Sequence, residues 1–153
     1  MSHSSTHTAI DATLHCLTGC AIGEITGMVL GMIFGWDTIT TISIAVLLAF
    51  LFGYTLSLLP LLKAGLTLFA AMPVVFAADT LSIFVMEVVD NAVMAFVPGA
   101  MEASLVNPVF WLALSLALFV AFWAAFPVNR WLLSRGKGHA LMHNYHQSDS
   151  HHH

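Results

Sequence analysis

The stretch TITTISIAVLLAFLFGYTLSLLPLL (38–62) contains no charged side chain from end to end. About 20 apolar residues at 1.5 Å rise each cover the ~30 Å hydrocarbon core of a bilayer, so this segment predicts a membrane-spanning helix. Three flanking stretches meet the same test, at 8–36, 66–97 and 108–133. The third would reach about 48 Å if continuous, so it is expected to tilt, to protrude, or to bend near Pro73.

The breaks between the stretches carry turn and cap chemistry. Gly35-Trp36-Asp37 separates the first two, with Asp37 placed to cap the second helix. Lys63-Ala64-Gly65 separates the second and third. Pro98-Gly99 ends the third, and Asn107-Pro108 supplies a cap followed by a first-turn proline for the fourth.

Composition agrees. Of 153 residues, 59% are hydrophobic and 8% charged, whereas a soluble domain carries about 25% charged residues to coat its surface. The expected fold is an all-α, integral membrane four-helix bundle that assembles as a homo-oligomer. Residues 1–136 form the four-span domain and 137–153 a His-rich cytoplasmic tail. The opening MSHSSTHTAIDA (1–12) lacks a basic residue and a small-residue cleavage site, so no cleavable signal peptide is expected.

The basic residues set an orientation. Lys63 falls in the second connection, Arg130 in the last turn of the fourth span and Arg135 and Lys137 after it, while Asp37 and Glu102 fall in the other two connections. The positive-inside rule then places both termini in the cytoplasm of a multi-pass protein of the inner (plasma) membrane. Trp111 and Trp131 stand near the two ends of the fourth span, where aromatic anchors belong.

Within the first span, Gly19, Gly23, Gly27, Gly31 and Gly35 recur at intervals of four. Such a ridge lets two helix backbones approach closely, either inside the bundle or between subunits. Beside it run Cys16, Cys20 and Glu24, again four apart, with His15 offset by one residue and Asp11 continuing the line. Two cysteines so spaced share a helix face, and a disulfide between them would be strained. Cysteine alone is often only a small packing residue. Thiolate, imidazole and carboxylate together are transition-metal ligands, although one helix cannot complete a site alone.

The third span reads MPVVFAADTLSIFVMEVVDNAVM (72–94). At about 100° per residue, Met72, Asp79, Met86, Asp90 and Met94 fall within roughly 80° of one another, with Glu87 at the edge of that face and Asn91 just beyond it. A methionine stripe is ordinarily packing. Three acids in one span are different, because an intramembrane carboxylate is tolerated only when it is neutral, paired or bound to a cation. The first and third spans run in the same direction, so their faces can meet as a ladder of ligands. His15, Cys16, Cys20, Glu24, Asp79, Met86, Glu87 and Asp90 are the candidate metal-binding residues.

After the last span, His139, His143 and His146 fall on one face of a short helix and form a candidate auxiliary metal-collecting element. The closing His151 to His153 carry no assigned role.

The segments HCLTGCAIGEITG (15–27), ADTLSIFVMEVVDN (78–91) and NRWLLSRGKGHALMH (129–143) resemble an uncharacterised bacterial family. Its members are small four-span membrane proteins with a His-Cys-x3-Cys-x2-Gly-Glu signature, a domain of unknown function described alongside copper proteins. The resemblance covers nearly the whole chain and implies metal handling without an established reaction.

The expected function is a permease or channel for a transition-metal cation, with copper, iron or zinc as the ion. Its path would be lined by Cys, His and Glu of the first span and by Asp, Glu and Met of the third. A membrane-bound metalloprotein with a redox or sensing role is the alternative, as is a proton-coupled transporter of another solute. No nucleophile–base pair, nucleotide loop or nucleic-acid-binding pattern stands out, so neither enzymatic activity nor nucleic-acid binding is expected. The expected partners are lipid, the metal cation and further copies of the chain.

Overall fold

The computed structural model describes the backbone of residues 3–135 and side chains from residue 6 onward. The tail histidines His139, His143 and His146 lie outside the described residues. Four helices follow one another: α1 (His3–Phe34), α2 (Thr38–Lys63), α3 (Leu68–Phe96) and α4 (Pro108–Ser134). Each is long and apolar enough to cross a membrane, and no strand occurs among the described residues. The helix starts are written in the caps. Asp37 accepts the Thr40 backbone N–H at 3.1 Å and its hydroxyl at 2.6 Å, and Asn107 accepts the Val109 N–H at 3.0 Å ahead of Pro108.

The first contact that organises the bundle joins α1 to α2. A methyl group built on Gly19 would lie 2.5 Å from Gly53 Cα, and one on Gly27 would lie 2.5 Å from Ala45. Gly23 meets the backbone of Ala49 and Gly31 meets the side chain of Thr41 in the same way. Each step of four up α1 is matched by a step of four down α2, as antiparallel helices require. The glycine ridge is therefore an intramolecular seam. Its fifth member is a correction to the sequence expectation: a methyl group built on Gly35 would meet nothing within 4 Å, and this residue instead turns the chain at φ +64°.

The fourth helix supplies a second run of small residues. Ala113, Ala117, Ala121 and Ala125 are all buried, again four apart. Alanine at these positions lets α4 pack closely on both α3 and α1. The core around Ala121 and Ala125 is made of Cys16, Cys20, Ala49, Ile83 and Met86, and Ala113 and Ala117 pack in a second cluster with Met94, Ala100 and Phe110. Large apolar side chains such as Leu47, Phe84, Leu112, Phe119 and Trp123 point outward instead. That inverted distribution is what a bilayer solvent selects.

Candidate functional site

The face of α3 that carries the acids is turned inward. Asp79, Met86, Glu87 and Asp90 are all buried, together with Ser82 and Met94. They face the Cys16–Cys20–Glu24 line of α1, of which Cys16 is wholly buried, Cys20 nearly so and Glu24 half-buried.

The pairing follows the helix repeat. Cys16 lies within hydrogen-bonding reach of Asp79 and beside Ser82. The Asp79 carboxyl is also met by Ser57, which α2 contributes. Cys20 lies against Glu87. Glu24 meets Asp90, and Glu87 stands near Asp90 on the same helix. Residue numbers rise together on both helices, so α1 and α3 run parallel and the three contacts form successive rungs. Two polar atoms in this face have no hydrogen-bond partner, Ser82 Oγ and Asp90 Oδ1.

Not every expected ligand joins them. His15 is exposed, and its ring Nδ1 lies 2.8 Å from the Asp11 carbonyl of its own helix. Offset by one residue from Cys16, it is rotated about 100° off the buried line. Asp11 is exposed as well. Asn91 donates to the Glu87 carbonyl at 2.9 Å. Among the described residues no group of three or more His, Cys, Asp or Glu side chains is gathered closely enough to hold a metal ion. The rungs are pairs.

Two features escaped the sequence reading. Thr13 and Asn129 are both buried, and Asn129 Nδ2 donates to Thr13 Oγ1 at 2.8 Å, tying α4 to α1 one turn beyond Cys16. Asn129 continues the spacing of the alanine ridge, which was its only sequence signal. The second is a cavity of about 500 Å³ at the opposite end, walled by α1, α2, α3 and the 100–104 segment. Glu24 and Glu87 form its inner end, and exposed Glu102 stands at its rim. The two serines beside the Cys16–Asp79 pair, Ser57 and Ser82, carried no sequence signal, because isolated hydroxyls are common in apolar helices.

An all-α chain with four apolar spans and a buried line of paired thiols and carboxylates defines a multi-pass membrane protein with a polar interior. Residues 6–138 match the family described as Domain of unknown function (DUF4396), and the chain belongs to that family. No curated protein and no solved structure matches it.

Proposed function

We propose that this protein is a small membrane permease for a transition-metal cation, with the facing sides of α1 and α3 as its path. The observation that supports it is the ladder Glu24–Asp90, Cys20–Glu87, Cys16–Asp79 along one helix–helix face, in which every member but half-buried Glu24 is buried. Ionisable side chains at membrane depth are costly, estimated at about 2.5–3.5 kcal/mol each, and mark ion or proton pathways when they face a bundle interior. Passage needs sites strong enough to receive an ion and weak enough to release it, in series. Rungs of two ligands, mixing oxygen and sulfur donors, meet that need better than one closed site of four.

The basic ends set the direction of the path. With Lys63, Arg130 and Arg135 on the cytoplasmic side of the plasma membrane, the 500 Å³ cavity opens outward and the rungs descend from Glu24 to Cys16. The Thr13–Asn129 bond then lies on the cytoplasmic side of the last rung. Impermeant thiol reagents should label Glu102→Cys from outside in intact cells. The glycine ridge being engaged within the chain, an oligomer would assemble through the outward apolar faces, and the tail histidines would collect the ion in the cytoplasm.

A second reading has its own support. Carboxyl–carboxyl and thiol–carboxyl pairs are the arrangement through which a proton hops, so the ladder also suits proton-coupled movement of another solute. Uptake of Cu(I), Fe(II) and Zn(II) into proteoliposomes, with internal pH recorded, separates the two. The permease reading expects Cys20→Ser, Glu24→Gln and Asp79→Asn each to cut metal uptake. Normal metal uptake with lost proton coupling installs the relay in its place. Variants indistinguishable from the parent in both signals make the rungs purely structural.

A further inference from the structure

The cavity at the outer end of the ladder is lined by four methionines: Met28 and Met32 of α1, Met94 of α3 and Met101 of the connection that follows. They come from three separate segments, so no single helix periodicity explains why they line one cavity. Met94 is buried, Met28 and Met101 half-buried and Met32 exposed, so the group runs from the rim inward. At its inner end stands Glu24, the first rung, and at its rim Glu102. Thioethers are neutral, soft ligands that need no deprotonation, and they favour Cu(I)-like monovalent ions over harder divalent ones. Carboxylates at both ends supply the negative charge that neutral sulfur lacks.

We propose that this cavity is a capture site for a soft monovalent cation, chemically Cu(I) or Ag(I), which is handed from thioethers to Glu24 and then to the thiols of the ladder. The inference rests on the permease reading for its destination, but the capture itself is a separate binding event. The thioethers favour a soft ion at this mouth, while Glu24, Glu87, Glu102 and Asn91 add oxygen donors to the same lining.

The test measures Ag(I) binding to the purified full-length chain by chelator competition, alongside Ag(I) and Zn(II) uptake in proteoliposomes. The variant is Met28→Leu/Met94→Leu/Met101→Leu, since leucine keeps volume and apolarity while removing sulfur. Cysteines and the histidine tail are common to both proteins, so the difference isolates the thioethers. The expected result is that the variant binds Ag(I) about tenfold or more weakly and needs correspondingly more Ag(I) for half-maximal uptake. Equal Ag(I) affinity in parent and variant overturns the proposal, as does a parent that moves Zn(II) but neither binds nor moves Ag(I). That last outcome leaves the permease standing. Methionine-dependent Ag(I) binding without any cation uptake does the reverse, keeping the capture site and removing the permease.

Discussion

Gly23 of α1 lies so close to Ala49 of α2 that a single methyl group on the glycine would collide with the alanine backbone. The colliding atoms are main chain, which cannot rotate away, so relief requires the helices to separate. Gly23→Leu and Gly27→Leu should each destabilise the bundle by about 1–3 kcal/mol or more, as overpacked cores do. Because the contact is internal, the loss should appear in unfolding of the chain in detergent, without a change in subunit number. Gly35→Ala offers a contrast, with open space around it and a cost of about 1–2 kcal/mol from its left-handed backbone alone. If Gly23→Leu dissociates an oligomer while leaving the chain's unfolding untouched, the seam has been assigned to the wrong partner.

Asp37 holds the start of α2, and the Thr40 hydroxyl and N–H that donate to it keep its carboxyl below its ordinary value of 3.8. A carboxylate whose folded value is depressed contributes stability that is present above the unfolded value and is lost as pH falls through the folded one. Thermal stability should therefore decline modestly on acidification below about pH 4, and Asp37→Asn should flatten that decline while retaining the cap. An unchanged acid limb in Asp37→Asn would show that the cap is not the group titrating.

The spans and caps were legible in the sequence for plain physical reasons. Hydrocarbon thickness fixes the length of an apolar run, and Asp37, Asn107 and Pro108 are local devices whose partners lie within three residues. The acidic face of α3 was legible too, since it depends only on helix periodicity. The partner of the glycine ridge was not, because Gly53, Ala49, Ala45 and Thr41 become a complementary ridge only once α2 is folded back against α1. His15 shows the complementary limit. Its neighbour Cys16 is wholly buried, yet one residue of rotation turns the imidazole outward. The four methionines of the cavity could not be assembled by reading along the chain at all, as three segments contribute them.

Asn129 and Thr13 form a buried side-chain bond across α4 and α1, in which the amide donates to a hydroxyl that itself donates to the Ala9 carbonyl. Asn129→Leu removes the donor while filling similar space. It should cost about 0.6 kcal/mol and no more than about 1.7, the mean and the maximum for interhelical hydrogen bonds in a membrane protein. Were α4 held to α1 by the alanine ridge alone, unfolding of Asn129→Leu would match the parent. On the permease reading the same variant should also leak cation in both directions, since it loosens the end opposite the cavity.

The rung between Glu24 and Asp90 permits the sharpest measurement. Their side chains meet across α1 and α3, and Asp90 keeps one oxygen, Oδ1, unpartnered and buried. Removing either carboxyl strands the other, so Glu24→Ala and Asp90→Ala should each destabilise the chain. The double variant should then cost less than the two effects added together. The coupling from such a cycle should be about 0.5 kcal/mol or more, as for residues in direct contact, whereas distant sites add to within about 0.3–0.5 kcal/mol. Glu24 and Asp79 belong to different rungs and serve as the control pair, expected to be additive. Reversible unfolding in mixed micelles, followed by far-ultraviolet circular dichroism, reads all of these values on one scale. Equal coupling for the two pairs would mean that charge acts diffusely along the α1–α3 face. Coupling confined to Glu24 and Asp90 would establish the rung as a discrete two-residue unit, which stepwise passage of an ion or a proton requires.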